Sequence, residues 1–274
     1  MLRSSKILSF LDEKNNFHVR FLEGQKIIND LALIHDVKNK GFEFFRELTL
    51  TNIHLISTLK NSEGLGLFID SNEPYFRFKL ECSESGNIRT LLFPESLDLF
   101  PKSVSGELRF SKIFPGRTAP YTSIIRLENN PTHELTNIFL KESQQINAKI
   151  YLSSESDQSV FITKLPPRSV DMEQTEDISL ENYWNQNQIF LETLMAKGLN
   201  DKDMLVKEFE SHHLVFLQSK EIQFNCPCSE EKMTTGVQTL INTEGKEEIF
   251  KELTELQVTC DYCKSVYILK KENF

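Results

Sequence analysis

Four of the five cysteines of this 274-residue chain lie close to its C-terminal end. They form one CxC pair, Cys226 and Cys228, and one CxxC pair, Cys260 and Cys263. Two pairs separated by a segment long enough to fold back can bring four thiolates together around one tetrahedral zinc ion. A segment of roughly fifty residues buries too little apolar surface to be secure alone, so such a site would constrain how the end of the chain folds.

Zinc bound by four thiolates has no open coordination position for water, which argues against a hydrolytic zinc. Two interpretations of the cysteines remain open. In the first they form a passive structural knuckle, and in the second they form a switch that loses its metal on oxidation. Thiolates are the form that oxidants attack, and the two cysteines of each pair are close enough in sequence to form a disulfide. The spacing alone permits both interpretations.

The composition restricts the class of protein and its surroundings. A length of 274 residues with 39% hydrophobic residues predicts one sizeable core and at least one smaller unit. The net charge of -9, without a basic stripe, argues against nucleic acid as a partner. No apolar run reaches the roughly 18 residues of a membrane span, and the opening segment does not resemble a secretory signal. We therefore expect no membrane association and a cytoplasmic location, where thiols are kept reduced.

The first part of the chain, residues 1–165, has the pattern of an α+β domain. Alternating apolar and polar residues predict strands at residues 17–21, 65–69, 75–80, 108–110, 122–127, 148–152 and 160–165. Helical spacing predicts helices at residues 45–59 and 131–146. We expect an antiparallel sheet with covering helices as the N-terminal domain.

The next part, residues 166–220, has the pattern of a metastable helical linker. It begins with Pro166 and Pro167, which are followed by Asp171, Glu173 and further acidic residues, and such a stretch buries little. Two short helical patterns follow at residues 189–197 and 204–209. Helices with such short apolar faces are marginally stable alone and depend on docking to a neighbour.

The last part, residues 221–274, predicts a small C-terminal zinc-binding domain. Ser229 can cap a helix directly after the CxC pair. The apolar positions are Val237, Leu240, Ile241, Ile249 and Leu253 in two helices, and Val258, Val266 and Ile268 in two short strands. The predicted order is therefore cysteine pair, helices, cysteine pair.

Other candidate sites are weaker. His212 and His213 are interpreted as residues of a linker helix, because the four-cysteine set is already complete. Cys82, alone in a strand region, is interpreted as a small buried hydrophobe rather than a nucleophile. No glycine-rich run ends in Gly-Lys-Ser/Thr, which argues against nucleotide hydrolysis.

Several stretches of the sequence share a pattern with a known family. They are F-N-C-P-C-S at 224–229, E-E at 247–248, V-T-C-D-Y-C at 258–263, V-Y at 266–267 and, upstream, residues 120–128 and 142–146. Along nearly its whole length the chain resembles the redox-regulated 33 kDa heat-shock chaperone (33 kDa chaperonin) family. It departs from the family pattern directly after the serine of the CxC segment. The family has basic residues there, and this chain has Glu230 and Glu231.

The resemblance implies a stress-response chaperone that is not an enzyme. Such a holdase works without ATP, keeps unfolding proteins from aggregating and supports their refolding. In the reduced state, one Zn²⁺ would be bound by the thiolates of Cys226, Cys228, Cys260 and Cys263. Oxidants would form disulfides between Cys226 and Cys228 and between Cys260 and Cys263, release the zinc and unfold the linker. The resemblance also implies a monomer when reduced and a homodimer when oxidised.

The resemblance further implies a client-binding surface. Once the linker leaves its docking site, apolar residues of the N-terminal domain and of the linker would bind unfolded or oxidatively damaged proteins. The candidate client-binding residues of the linker are Ile189, Leu194, Leu205 and Phe209.

Two hypotheses of other classes stay open. The alternative is a zinc-ribbon adaptor that binds RNA or a protein partner and whose zinc is purely structural. Seven lysines against ten acidic residues in residues 219–274 disfavour RNA as its partner. A zinc or thiol oxidoreductase would require an open metal position or a thiol pair that turns over.

Overall fold

The computed structural model describes residues 2–117, 119–166 and 178–274. The chain divides into two units, Met1–Phe224 and Asn225–Phe274. The acidic residues Asp171 and Glu173, on which the linker prediction depends, lie outside the described residues.

The first unit is organised by one ten-stranded sheet. Its strands are β1 (Ser5–Asp12), β2 (Phe17–Glu23), β3 (Gly64–Glu73), β4 (Tyr75–Ser83), β5 (Asn87–Phe93), β6 (Ser103–Ile113), β7 (Tyr121–Pro131), β8 (Ala148–Leu152), β9 (Gln158–Lys164) and β10 (Val215–Phe224). The spatial order is β7-β6-β3-β4-β5-β10-β1-β2-β9-β8. Neighbours pair antiparallel except β5 and β10, which are parallel. The α+β class and the predicted antiparallel strands are confirmed.

Five helices pack on this sheet and create two cores. They are α1 (Gln25–Ile34), α2 (Asn39–Asn52), α3 (Leu135–Glu142), α4 (Leu180–Ala196) and α5 (Lys202–Ser211). The first core lies between the sheet and α1, α2 and α3. The second core lies against α4 and α5, and its buried members are Leu8, Phe10, Phe17, Val19, Phe21, Val160, Ile162, Tyr183, Leu191, Leu194, Met195, Leu205, Phe209 and Leu214.

The central strands have an apolar side chain on each face because both faces are covered. Ile7 belongs to the first core and its neighbour Leu8 to the second, and successive side chains of a strand point to opposite faces. In β4, by contrast, Phe76 and Phe78 are buried whereas Arg77 is exposed. The alternation of β4 is visible in the sequence, whereas β1, which is buried on both faces, shows no such alternation.

Two predicted helices differ from the structure at their ends. The helix predicted from Pro131 begins at Leu135, because Pro131 has an extended backbone and ends β7. The same helix was predicted to reach residue 146 but ends at Glu142, and Gln145 adopts a left-handed φ of 53° that no helix continues. The helix predicted at 45–59 is α2 followed by the 3-10 turn Ile53–Thr58.

The linker segment contains a strand that the sequence analysis did not predict. Strand β10 lies between β5 and β1, in the middle of the sheet. It pairs with β1 from Ser5–Ile222 to Leu11–Val215 and with β5 only at Gln223 and Phe224. Most of its side chains are polar or exposed, so its pattern carries little periodicity. None of the helices in residues 2–117, 119–166 and 178–274 is both long and apolar enough to cross a membrane.

The second unit is small and follows the predicted order. It contains α6 (Glu230–Glu244), α7 (Lys246–Phe250) and an antiparallel pair of strands, β11 (Glu255–Thr259) and β12 (Val266–Lys270). Leu253 was predicted to share a helical face with Ile249, which is wrong. The helix α7 ends at Phe250 because Lys251 has a φ of 51°, and Leu253 is exposed. Within residues 225–274, all of which the structure describes, the buried apolar residues are Val237, Phe250, Cys260 and Leu269.

Candidate metal centre

The four cysteines come from two places in the second unit. Cys226 and Cys228 lie in the segment that precedes α6, and Cys260 and Cys263 lie in the turn between β11 and β12. All four Sγ atoms lie within 4.8 Å of one another. The Sγ atoms of Cys226 and Cys260 are 3.7 Å apart, and those of Cys228 and Cys263 are 3.3 Å apart.

Local hydrogen bonds explain why the two segments present their thiols to the same point. In the second segment, the amide of Cys260 donates to the carbonyl of Ser265 at 2.9 Å, and the amide of Lys264 donates to the carbonyl of Cys260 at 2.9 Å. Lys264 has a φ of 61°, which closes the turn tightly enough for both thiols to face inward. In the first segment, Ser229 caps α6 by accepting from the amide of Lys232, so the helix begins directly after Cys228.

The thiol geometry fits a tetrahedral metal ion. A metal about 2.3 Å from each of four sulfurs places neighbouring sulfurs about 3.8 Å apart, close to the observed 3.7 Å and 3.3 Å separations. Four thiolates are the donor set that suits zinc, and they leave no coordination position for a water nucleophile. The four cysteines can therefore hold a metal ion in a closed site.

Neighbouring groups bias the thiol of Cys263 towards the thiolate form. Burial raises the pKa of Cys263, but hydrogen bonds with the side chain and amide of Ser265, together with Cys228 and Cys260, lower it to about 6. The phenol of Tyr267 donates to the Sγ of Cys228 at 3.0 Å. That hydrogen bond raises the pKa of Tyr267 to about 12, because ionising the phenol would remove the donor. Burial raises the pKa of Cys260. Tyr267 and Ser265 are thus hydrogen-bond partners of Cys228 and Cys263, respectively.

Neither Tyr267 nor Ser265 was predicted to contact the metal site. Both follow the CxxC pair within a few residues, at the end of the turn and on β12. A hydroxyl group at such a position is the signal that could have identified them, because metal-bound thiolates accept hydrogen bonds from outer partners.

The model of the family described as "Hsp33 protein" matches residues 5–270. This chain belongs to the Hsp33 family. Membership supports a chaperone function and the binding of unfolded client proteins, and the family consists of chaperones rather than enzymes.

Individual Hsp33 relatives are distant in sequence but similar in length. A 33 kDa chaperonin of Pseudomonas fluorescens is 19% identical over 94% of this chain and 88% of its own. One from Aquifex aeolicus is 22% identical over 93% of this chain and 83% of its own. The crystal structure of a Thermotoga maritima 33 kDa chaperonin (heat shock protein 33 homolog) matches with a TM-score of 0.72 at 15% identity, covering 98% and 96% of the two chains. This likeness concerns the fold.

The structure separates the four candidate client-binding residues of this Hsp33 protein into two groups. Leu194, Leu205 and Phe209 are buried in the second core, whereas the side chain of Ile189 is 84% exposed. Phe209 stacks on Phe10 of β1 with ring centroids 4.0 Å apart. Three of the candidates are therefore covered by the sheet, and Ile189 already faces solvent.

The weaker candidates lie in the first unit. His212 directly follows the last residue of α5 and stacks on Phe190 with centroids 3.6 Å apart, and His213 follows it in a left-handed conformation. Both were predicted to lie on a linker helix, but they form the turn directly after α5. Cys82 is 7% exposed on β4, and burial raises the pKa of its thiol far above the ordinary range. Its predicted role as a small buried hydrophobe is confirmed.

Proposed function

We propose that this Hsp33 protein is a redox-regulated, ATP-independent holdase whose four cysteines bind one Zn²⁺ in the reduced state. The observation that carries the proposal is the set of four thiols within 4.8 Å in a chain of a chaperone family. A bound Zn²⁺ would supply cross-links between Cys226, Cys228, Cys260 and Cys263 that a unit with so small an apolar core needs.

Oxidation of the thiolates would dismantle this site. Two thiolates that form one disulfide lose two electrons, and one hydrogen peroxide takes up those electrons with two protons to give two waters. Two peroxides therefore convert the four thiolates into two disulfides, which we assign to Cys226–Cys228 and Cys260–Cys263. A disulfide sulfur is a poor metal ligand compared with a thiolate, so the four oxidised cysteines would no longer bind zinc.

The consequence for the first unit follows from chain connectivity. Phe224 is the last residue of β10, and Asn225 begins the second unit. The pairing of β10 with β5 consists of two residue pairs at this end of the strand. Unfolding the second unit would leave the end of β10 attached to a mobile chain, and we propose that this weakens β10 and the α4–α5 segment before it.

Undocking of α4 and α5 would expose apolar surface on both sides of the second core. On the sheet it would uncover Phe10 and Phe21, and on the helices it would uncover Leu205 and Phe209. Contiguous apolar surface of this kind binds unfolded chains without ATP. We propose that unfolded or oxidatively damaged proteins bind there, that the reduced protein is a monomer and the oxidised protein a homodimer, and that it works in the cytoplasm as part of a stress response.

The test follows zinc, thiols and client aggregation in the same sample. Reduced, zinc-loaded full chain is treated with hydrogen peroxide at elevated temperature, and zinc release, free thiols and disulfide-linked peptides are measured. Light scattering of a chemically denatured client then reports aggregation. We expect loss of one zinc and four thiols per chain together with suppressed aggregation. If zinc leaves and the client aggregates as it does without the protein, the zinc is purely structural and the proposal fails.

A further inference from the structure

A buried acid and a buried amide lie side by side where the sheet meets the α4–α5 connection. Glu23 is the last residue of β2 and Gln158 the first residue of β9, and the two are paired in the antiparallel register. Residues directly opposite each other in such a pair have their side chains on the same face. Glu23 is 1% exposed and Gln158 2% exposed, and both line a cavity of about 620 Å³ that the end of α4 also lines.

Each of these side chains uses one of its two polar atoms. The Oε1 atom of Glu23 accepts from the amide of Gln25 at 3.1 Å. The Nε2 atom of Gln158 donates to the carbonyl of Leu199 at 2.7 Å, and Leu199 lies between α4 and α5. The other two atoms, Glu23 Oε2 and Gln158 Oε1, are buried without a hydrogen-bond partner among the described residues.

Both unpaired atoms are oxygens, so they cannot satisfy each other while Glu23 is ionised. An ionised carboxylate only accepts hydrogen bonds, whereas a protonated carboxyl group also donates one. A proton on Glu23 Oε2 that is shared with Gln158 Oε1 would satisfy both atoms, and leaving both unpaired in a buried site is costly. Neither oxygen is exposed to solvent and no described residue donates to either, so the proton of the acid is the donor that the pair itself can supply.

Rotating the Gln158 amide does not remove the conflict. The rotated amide would present its NH₂ group to Glu23 and its oxygen to the Leu199 carbonyl. The 2.7 Å contact would then join two acceptors, and the hydrogen bond to the α4–α5 connection would be lost. An ionised Glu23 and the docked connection therefore compete for the same NH₂ group.

We propose that Glu23 is protonated while the α4–α5 connection is docked, that it donates to Gln158, and that it gives up this proton when the connection leaves. The inference rests on the proposed function in one respect, namely that undocking of α4 and α5 exposes the client-binding surface. Glu23 and Gln158 would then set how readily the reduced chain undocks as the pH changes.

The surroundings of Glu23 support this assignment. Burial is the largest cause that raises the pKa of Glu23 to about 7; Asp157 adds to it, and the amide of Gln25 and the charge of Lys6 oppose it. The other charged groups that line the cavity are Glu43, Arg46 and Glu47 of α2, Glu155 of the β8–β9 turn, and Lys197 at the end of α4. Arg46 pairs with Asp157.

The other hydrogen bonds and the ion pair that hold the α4–α5 connection on the sheet do not titrate in the pH range in which Glu23 does. The hydroxyl of Ser156 donates to the carbonyl of Met195 at 2.6 Å, and Asn200 donates to the Gln25 side chain at 3.3 Å. Asp201 forms an ion pair with Arg3, and the pKa of Asp201 is lowered, first by the amide of Met204 and then by Arg3. These contacts stay in place near neutral pH while Glu23 changes its charge.

The direction of the pH effect follows from proton linkage. The pKa of Glu23 is about 7 when docked and returns to its ordinary 4.5 when the site opens, so the docked form binds more protons. Docking is therefore strongest at low pH and weakens as the pH rises through the interval between the two values. Above that interval both forms are ionised, and the pH dependence from this group ends.

The experiment measures opening of α4 and α5 directly. Hydrogen exchange of their backbone amides is followed in reduced, zinc-loaded full chain between about pH 5.5 and 7.5, corrected for intrinsic exchange. We expect the opening equilibrium of wild-type protein to rise on the order of tenfold across this range. Glu23→Gln keeps a buried NH₂ donor for Gln158 and cannot ionise, so the tenfold rise that Glu23 supplies should be lost in this variant.

The matched control is Glu43→Gln, which removes one negative charge from the same cavity at an exposed position. It should keep the pH dependence of wild type. Infrared spectra near pH 6 should show a protonated carboxyl band that Glu23→Gln lacks, a readout that does not require the variant to keep full stability. Equal pH dependence in wild type and Glu23→Gln, or no such band, would overturn the proposal. Because no oxidant or client is used, failure of the redox mechanism would leave this result unchanged.

Discussion

The two units of this protein are stabilised in opposite ways. The first unit has two apolar cores on the two faces of its sheet, with Phe10, Phe21, Phe44 and Phe76 fully buried. The second unit buries few apolar residues, and one of them is a cysteine of the metal site. Apolar burial scales with the size of a domain, so the small unit depends on its thiols where the large unit depends on packing. Chemistry that changes the four clustered sulfurs therefore acts directly on the second unit, and it reaches the first unit only through the chain that joins them.

The largest predicted effect on the difference between the two units comes from removing one cysteine ligand of the metal site. Cys260→Ser should abolish zinc binding and unfold residues 225–274, because structural zinc contributes on the order of 10 kcal/mol to such a unit. Amide signals of the first unit should stay dispersed except those of α4, α5 and β10, whose docking the proposed function makes dependent on a folded second unit. The measurement is zinc content together with NMR dispersion of the two units.

The matched control for that variant is Cys82→Ala. It removes a buried thiol from β4 of the first unit and should lower the stability of that unit by about 1 to 2 kcal/mol without changing zinc content. A Cys260→Ser protein that still binds one zinc per chain would show that the four thiols are not the ligands.

The next largest effect concerns the docking of α5 on the sheet. Phe209 is fully buried and stacks on Phe10, so Phe209→Ala should cost about 3 to 5 kcal/mol. We expect faster hydrogen exchange in α4 and α5 and partial suppression of client aggregation without any oxidant. Ile189→Ala, at an exposed position of α4, should change stability by no more than about 0.5 kcal/mol. Equal behaviour of the two variants would argue against release of α5 as the activating step.

The smallest predicted effect compares one helix cap in each unit. Ser229 caps α6 and Ser179 caps α4 through the same kind of hydrogen bond, to the amides of Lys232 and Asn182. Replacing either by alanine should cost about 1 kcal/mol. In Ser229→Ala the cost should appear as about fivefold weaker zinc retention against a chelator, and in Ser179→Ala as a lower denaturation midpoint with unchanged zinc retention. If both variants change zinc retention equally, the units are not separately stabilised.

The metal site could be predicted from sequence because its information is local. The CxC and CxxC pairs place two thiols each within one turn, and Ser229 marks the helix that follows. Its outer partners, such as Tyr267, could not be predicted by spacing because their contacts depend on how β12 folds over the first pair. The strand β4 could be predicted equally well, because one of its faces is exposed to solvent and its residues alternate between apolar and polar.

The segment before the metal site was harder to predict because its partners lie far away in the sequence. Its helices look weakly apolar, yet Tyr183 stacks on Phe17 with centroids 4.0 Å apart, and its hydroxyl donates to Asp12 at 3.1 Å. The partners of α4 and α5 are residues of β1, β2 and β9, which periodicity within the segment does not reveal. The pairing of β10 with β1 and β5 is hidden for the same reason.

The position of β10 also determines when the sheet can be completed during synthesis. A ribosome-bound chain that has emerged only as far as α5 already contains β1 and β5 but lacks the strand that separates them. The facing edges of β1 and β5 then present unpaired backbone groups, the kind of edge that recruits other chains. Assembly of the sheet must therefore wait until Phe224 has been translated and has left the ribosome, and the nascent chaperone passes through an aggregation-prone stage of its own.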